Sequence, residues 1–159
     1  MGDRRETRQT GAVDLTSTLV APCPPEELFR AVDDLAAYPG WLSIVPHAEA
    51  VAAAPDDIGP AWSVDLRGRL GPLARSKRLR MVRTVHESPR HVRFERSELD
   101  GRSHSAWVLD AQVEADPGGS RLIMALHYGG SFGGAVLERM LADEIERSRP
   151  RLLALVQPA

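Results

Sequence analysis

The sequence offers few features that would cross-link the chain, insert it into a membrane or draw it to a polyanion. Its single cysteine, Cys23, excludes an intrachain disulfide and leaves the redox compartment open. The formal net charge of -2 gives no general attraction to nucleic acid, so none is expected as a partner. No uninterrupted apolar run approaches the roughly 20 residues of a membrane helix, so no integral membrane segment is expected.

Residues 1–11 are polar and charged, without the apolar core of a signal peptide. We therefore expect a cytoplasmic protein whose first 11 residues form a disordered tail. The 159 residues suit one core, so residues 12–157 are interpreted as a single domain.

Alternating apolar and polar residues run from Trp62 to Tyr128, which indicates an antiparallel meander. Turn sequences at 70–73, 87–90, 100–101 and 117–118 separate the runs and place nearly all large apolar residues on one face. The predicted cross-strand pairs are Val64 with Leu79, Trp62 with Met81, Val85 with Val92, Arg83 with Phe94, Phe94 with Trp107, Val92 with Leu109, Leu109 with Leu126, Ala111 with Met124, and Trp107 with Tyr128.

A one-sided sheet needs a cover, and the C-terminal segment from Phe132 onward carries apolar residues at helical spacing. We expect a long amphipathic helix there, with a kink or restart at Pro150 because proline cannot donate the helix hydrogen bond. Near the other end, paired prolines and then paired glutamates predict a short helix over residues 25–35. Alternation from Val13 to Leu19 predicts an opening strand.

Residues 21–34 read APCPPEELFRAVDD and residues 38–41 read YPGW. This segment resembles the opening of the START-like (SRPBCC) superfamily, which includes polyketide cyclases/dehydrases and aromatases. The resemblance extends over roughly residues 13–156 and implies an α+β helix-grip fold. In such a fold a curved antiparallel sheet of about seven strands wraps a long C-terminal helix, two short helices follow the first strand, and a ligand cavity lies between sheet and helix.

Several motifs that suggest chemistry lack the spacing it needs. The five histidines show no zinc-site spacing, and His86 and His91, which flank one predicted hairpin, both fall on the predicted outer face, so no metal is expected. Cys23 has no general base in its local sequence. The glycine-rich residues 129–134 lack the lysine of a phosphate-binding loop and are interpreted as a flexible joint. No cofactor is expected.

Two arginines, Arg83 and Arg96, fall on the predicted apolar face, where a buried guanidinium needs a partner. Glu144 on the C-terminal helix is one candidate partner for Arg83, and a ligand oxygen is the other. Arg96 lies nearer a strand end, where it can instead reach outward to solvent. The candidate ligand-binding residues are Trp41, Trp62, Met81, Arg83, Phe94, Arg96, Ser105, Trp107, Leu109, Met124, Tyr128, Leu137, Leu141 and Glu144.

The leading functional hypothesis is that an internal cavity binds a mainly apolar small molecule, lipid-like or polycyclic. The alternative is a cofactor-free polyketide aromatase/cyclase, with Arg83 and Tyr128 as catalytic candidates that stabilise enolate oxygen. A protein-interaction or membrane-docking module is a further alternative, and a homodimer is left open. Trp41 is expected either to gate the cavity from its rim or to seal the core permanently.

Overall fold

The fold is seen in a computed structural model, which describes residues 12–68, 76–131 and 134–156. In chain order the elements are β1 Val13–Ala21, α1 Pro25–Arg30, a 3-10 helix Leu35–Gly40, β2 His47–Val51, β3 Ala61–Arg67, β4 Ser76–Glu87, β5 His91–Arg96, β6 Trp107–Asp116, β7 Gly119–Tyr128 and α2 Gly134–Val156. The expected tail at 1–11, the turn at 70–73 and the helix start at Phe132 lie outside the described residues.

All strands belong to one antiparallel sheet in the order β1-β7-β6-β5-β4-β3-β2. Helix α2 packs against β1, the 3-10 helix packs against β2, and α1 packs against β6 and β7. The α+β helix-grip architecture predicted from the sequence is therefore confirmed. Within the described residues, no helix combines the length and apolarity needed to cross a membrane.

Most of the predicted register is confirmed, because alternation allows only one face of each strand to enter the core. Six of the predicted pairs are found: Val64 with Leu79, Trp62 with Met81, Arg83 with Phe94, Leu109 with Leu126, Ala111 with Met124, and Trp107 with Tyr128. Trp107 lies on the inner side and is 8% exposed, as the register requires.

A bulge in β4 changes the register between Arg83 and Val85. Val85 therefore lies opposite Arg93, and His86 lies opposite Val92, so the predicted pair of Val85 with Val92 is wrong. A bulge inserts one residue into a strand and reverses the face of the residues beyond it. The expectation that His86 faces outward is wrong for the same reason, since its ring stacks on the buried Phe29 with centroids 5.7 Å apart.

The connection between β5 and β6 is longer than the two-residue turn expected at 100–101. Strand β5 ends at Arg96 and β6 begins at Trp107. Phe94 consequently pairs with Leu109, and Val92 pairs with Ala111, which corrects two predicted pairs by two positions. A shift of two residues keeps every side chain on its predicted face, so the apolar face survives the error.

The helices differ from expectation at two points. Helix α1 ends at Arg30 rather than near 35, and the chain restarts as a 3-10 helix at Leu35 because the Asp34 carboxylate accepts the Ala36 N–H at 2.9 Å. Helix α2 runs from Gly134 to Val156 through the exposed Pro150, so the expected restart there is wrong. Buried residues on both sides of the proline hold α2 against the core.

The short edge strand β2, His47–Val51, was not identified from the sequence. Only Ala48 of its five residues is buried, so it carries almost no apolar alternation. It is held by pairing with β3, and the segment that precedes it packs into the core. Tertiary contacts rather than local pattern place this strand.

Candidate ligand-binding cavity

A cavity lies between the inner face of the sheet and α2. The space that the centres of water-sized spheres can reach is about 90 Å³, several times the roughly 10–15 Å³ that holds one water on this measure. Its walls are Leu15, Ser17, Leu19, Leu35, Tyr38, Trp41, Leu42, Ile44, Val45, Val64, Leu66, Leu79, Met81, Trp107, Leu109, Leu122, Met124, Leu126, Ile145, Ser148, Arg149 and Leu152.

Three separate parts of the chain build these walls. The sheet contributes every second residue of β1, β3, β4, β6 and β7, because alternate side chains share a face. The 3-10 helix and the residues that follow it close one side. The last turns of α2 close another with Ile145, Ser148, Arg149 and Leu152, whose spacing of three to four residues puts them on one helix face.

Most polar groups in the lining are already bonded within the protein. The Tyr38 hydroxyl donates to the Val32 carbonyl at 2.8 Å, and Trp41 Nε1 donates to the Ala31 carbonyl at 3.1 Å. Ser148 Oγ donates to the Ile145 carbonyl at 2.7 Å. These bonds leave mainly carbon surface turned toward the space, which is the general form of a site for an apolar ligand.

Among the described residues of the lining, Arg149 is the one side chain that is charged at neutral pH. Its Nη1 donates to the Thr18 carbonyl at 2.6 Å and lies 3.4 Å from Ser17 Oγ, so it fixes α2 to β1. The side chain is 34% exposed and its Nε lies 3.8 Å from the Glu146 carboxylate. This places the cation at the outer margin of the cavity, beside Ser17.

Tyr38 is the other ionisable group in the lining, and it is held neutral. Burial, and then the carboxylates of Asp33 and Asp34, raise the pKa of Tyr38 well above its ordinary value. Since its proton is also committed to the Val32 carbonyl, this phenol has little capacity for acid-base chemistry near neutral pH.

Trp107 differs from the other polar groups of the lining. Its Nε1 is shielded from solvent and has no hydrogen-bond partner among the residues that the structure describes. Its indole packs against Tyr128, with ring centroids 4.6 Å apart. An unsatisfied buried donor of this kind costs roughly 1–3 kcal/mol, so it calls for an explanation.

Five of the predicted ligand-binding residues line the cavity: Trp41, Met81, Trp107, Leu109 and Met124. The other nine are not part of its walls: Trp62, Arg83, Phe94, Arg96, Ser105, Tyr128, Leu137, Leu141 and Glu144. Phe94 is separated from the space by aromatic packing, since it makes edge contacts with Tyr38 at 6.3 Å and Trp62 at 5.5 Å. Trp41 is 3% exposed, which fits a core seal rather than an exposed gate.

Arg83 faces the inner side of the sheet but reaches away from α2. Its Nη1 donates to the Asp33 carbonyl at 3.1 Å, and its guanidinium carbon lies 5.9 Å from the Trp62 ring centroid. Glu144 instead accepts from Ser43 Oγ at 2.6 Å and from Arg147 Nη1 at 3.0 Å. The Arg83–Glu144 bridge considered from the sequence is therefore wrong.

Arg96 is also satisfied away from the cavity. Its Nε donates to Glu98 at 2.7 Å and its Nη1 to the Ser105 carbonyl at 3.2 Å, while only 7% of its side chain is exposed. The expectation that it reaches outward to solvent is wrong, because Glu98 follows β5 closely enough to turn back and pair with it. Among the described residues, no group of three or more acidic, histidine or cysteine side chains is placed to hold a metal ion.

The sequence contained signals for the lining residues that were not identified. Ser17 continues the alternation of Leu15 and Leu19 in β1, and Arg149 lies at helical spacing from Ile145 and Leu152. Neither residue was predicted to line the cavity, because a polar residue within an apolar pattern keeps the period of the pattern but does not itself count as apolar.

Comparison with known proteins agrees with this architecture. Residues 12–157 match the model of the family described as polyketide cyclase / dehydrase and lipid transport. The chain belongs to this family. A search of curated proteins found no match.

Solved structures of similar fold include one from Chromobacterium violaceum, at 15% identity and a TM-score of 0.67, covering 92% of this family member and 99% of that chain. A START superfamily protein from Mycobacterium smegmatis has 15% identity and a TM-score of 0.65, over 91% and 96% of the two chains. The di-domain ARO/CYC BexL from the BE-7585A biosynthetic pathway has 13% identity and a TM-score of 0.66, over 94% of this chain but 51% of BexL. At these identities the likeness shows the fold alone.

Proposed function

We propose that this family member binds a mainly apolar small molecule in the cavity between the sheet and α2. The observation that carries the proposal is that carbon atoms form nearly all of the cavity lining. With few exceptions, the polar groups of the lining residues are hydrogen-bonded to other groups of the protein. Burial of apolar ligand surface there is favourable by about 25 cal/mol per Å². The family description, which includes lipid transport, supports the same class of ligand.

The proposal is tested with N-phenyl-1-naphthylamine, a neutral apolar probe whose fluorescence rises in a nonpolar site. We expect saturable binding by the wild-type protein. Met124→Trp adds bulk to the cavity wall and should weaken probe binding about tenfold or more. Circular dichroism of the variant confirms that a loss of binding does not reflect unfolding.

Ile123→Trp is the matched control. Ile123 precedes Met124 in β7 and points to the opposite face of the sheet, so the same substitution there should leave probe affinity within about twofold of wild type. Equal weakening by both variants would contradict the proposed site. Native mass spectrometry of protein from its own host supplies the second test, since a bound apolar molecule is expected to co-purify.

A polyketide aromatase/cyclase is the second candidate. It is supported by the family description and by the fold likeness to the di-domain ARO/CYC protein BexL. Two observations oppose it. Its catalytic candidates, Arg83 and Tyr128, are not in the cavity wall. The lining residues that the structure describes also include no group suited to proton transfer near neutral pH, because the raised pKa of Tyr38 and its bond to the Val32 carbonyl hold its proton.

Single-turnover assays with a linear poly-β-ketone thioester separate the two functions. A carrier protects or binds the poly-ketone without changing its product distribution, whereas a cyclase alters the pattern of rings formed. A changed pattern that is lost in Met124→Trp but kept in Ile123→Trp would favour the enzyme.

A further inference from the structure

The three tryptophans of this chain differ in how their indole N–H groups are satisfied. Trp41 donates to the Ala31 carbonyl at 3.1 Å, and Trp62 donates to the Asp34 carboxylate at 3.0 Å. Trp107 is also buried, yet among the described residues its Nε1 has no acceptor. Trp41 and Trp107 both contribute to the cavity wall, and of these two only Trp107 has an indole N–H without an acceptor among the described residues.

Among the described residues, the neighbourhood of Trp107 offers no unpaired charge. On the β5 side, Arg96 follows Glu95, the partner of Val108, and its buried guanidinium is already paired with Glu98 at 2.7 Å and donates to the Ser105 carbonyl.

The cross-strand neighbours of Trp107 are Tyr128 on β7 and, beyond it, Val13 on β1. Among the lining residues that the structure describes, Arg149 is the one cation, and it contacts Ser17, which is four residues along β1 from Val13. At about 3.3 Å per residue, this separates the guanidinium from the level of Trp107 by roughly 13 Å along the strands.

A carboxylate beside Trp107 would therefore be desolvated with one neutral donor, because the guanidinium of Arg96 is already neutralised by Glu98, and such burial is unfavourable. A carbonyl oxygen has no net charge to compensate and accepts from one indole N–H at little desolvation cost. The remaining cavity wall near Trp107, formed by Leu109, Leu126 and Met81, suits the hydrocarbon part of the same molecule.

We propose that the ligand of this cavity carries a neutral acceptor oxygen of the ketone, ester or quinone class, and that Trp107 Nε1 donates the hydrogen bond that orients it. The inference rests on the proposed function, because it names the chemical class of the molecule in the same cavity. Trp107 is a binding and specificity residue, with no covalent step assigned to it.

The first test compares two bicyclic probes of nearly equal shape, 1-tetralone and tetralin, by calorimetric titration. Trp107→Phe retains an aromatic ring but removes the indole N–H. The variant should weaken tetralone binding at least about fivefold more than tetralin binding, as expected for the loss of one buried hydrogen bond. Because each probe is compared with itself, the difference in hydration between the two probes cancels.

Trp41→Phe is the matched control. It makes the same chemical change in the same cavity, but the Trp41 N–H is already bonded to Ala31. It should change the affinities for tetralone and tetralin by the same factor, within about twofold. A selective loss of tetralone binding in Trp41→Phe rather than Trp107→Phe would overturn the assignment.

The second test uses the wild-type protein and therefore does not depend on a variant that folds. Tryptophan labelled with ¹⁵N gives three indole cross-peaks, assigned in the wild-type protein from the nuclear Overhauser contacts of each indole N–H with its neighbours. Saturation with 1-tetralone should move the Trp107 proton downfield and leave Trp62 unchanged, while tetralin should produce no downfield shift at Trp107. Binding of 1,2,3,4-tetrahydro-1-naphthoate more tightly than tetralone would overturn the neutral-acceptor class.

The outcomes separate this inference from the proposed function. If tetralin and tetralone both bind but Trp107→Phe weakens them equally and the Trp107 proton does not move, the inference is overturned and the proposed function stands. If neither N-phenyl-1-naphthylamine nor either bicyclic probe binds, the proposed function is overturned and the inference falls with it.

Discussion

At the scale of single residues, the inner face of the sheet is distinguished by how its polar side chains are satisfied. The two arginines that the sequence places there, Arg83 and Arg96, find carbonyl or carboxylate partners from neighbouring connections rather than from α2. The cavity is thus kept apolar by local pairing, which removes these cations from its wall.

Replacement of Arg83 by methionine tests that separation. Arg83→Met should lower the free energy of unfolding by about 1–2 kcal/mol, because it loses the bond to the Asp33 carbonyl and the contact with the Trp62 ring. Binding of N-phenyl-1-naphthylamine should be unchanged. Urea unfolding and probe titration measure the two quantities, and a tenfold loss of binding would show that Arg83 reaches the ligand after all.

Trp41 provides a second prediction at this scale. Its side chain is buried, stacks near Tyr38 with centroids 4.9 Å apart and donates to the Ala31 carbonyl. Trp41→Ala should therefore cost about 3–5 kcal/mol of stability, as for other core aromatic truncations. Unchanged urea stability combined with faster probe entry would instead identify Trp41 as a gate.

The ion pair between Arg80 and Asp57 makes stability depend on acid. The Arg80 guanidinium bonds both Asp57 oxygens, at 2.6 and 3.2 Å, and this bonding, with the Ala54 N–H, lowers the pKa of Asp57. A carboxyl whose pKa is lower in the folded state stabilises the fold at any pH above its pKa in the unfolded chain, about 4. This contribution is lost as the pH falls through the pKa of the folded state.

Asp57→Asn should consequently be less stable than wild type at pH 7 and show a shallower loss of stability as the pH falls below about 4. Thermal unfolding across this range measures the effect. The neighbouring Asp56 is exposed, so Asp56→Asn serves as the control and should retain the wild-type slope. Parallel curves for wild type and Asp57→Asn would contradict the predicted linkage.

At the scale of elements, the hairpin between β6 and β7 depends on Gly119. Its φ is 132°, and a Cβ there would meet the backbone of Ala21, Pro22 and Cys23, where β1 ends. Gly119→Ala should therefore destabilise the protein by more than about 2 kcal/mol. Gly101 also has a positive φ, of 73°, but a Cβ there meets nothing within 4 Å.

Gly101→Ala is thus the matched control, because it places alanine at a positive φ where the Cβ meets no neighbouring atom. It should lower the free energy of unfolding by only about 1 kcal/mol. Chemical denaturation of both variants gives the comparison. Equal losses would mean that the close approach of β7 to the end of β1 is not tight.

The elements also show what a sequence can predict and why it fails elsewhere. Period-two alternation predicted which face each strand buries, and the two-residue error opposite Phe94 left that result intact. The bulge before Val85 could not be predicted, because residues 83–87, RTVHE, fit an unbroken strand equally well. The shifted register is selected by tertiary contacts of His86, which stacks on Phe29 of α1 and bonds Asp33. Strand β2 was not predicted, because its composition lacks apolar alternation and its backbone is held in place by pairing with β3.

At the scale of the whole molecule, the cavity residues predicted from the sequence lie in the meander, with the exception of Trp41. Trp107, Leu109 and Met124 followed from parity alone. The contributions of β1, of residues 35–45 and of the end of α2 depend on how distant segments come together, which local patterns do not encode. Trp107 Nε1 and Arg149 illustrate this, because their roles appear only after the partners of the other polar groups in the lining are known.

The position of β1 has a consequence for synthesis on the ribosome. Val13 pairs with Tyr128 and Ala21 with Ser120, and β1 is otherwise an outer strand of the sheet. Strand β1 is therefore synthesised early but has no strand to pair with until β7, near the end of the chain, has been translated. Long-range pairings of this kind are slow to form. We expect nascent chains stalled after residue 116 to be cut by protease within β1 and full-length released chains to resist cleavage there. A stalled chain already protected at β1 would mean that a different pairing shelters this strand before β7 exists.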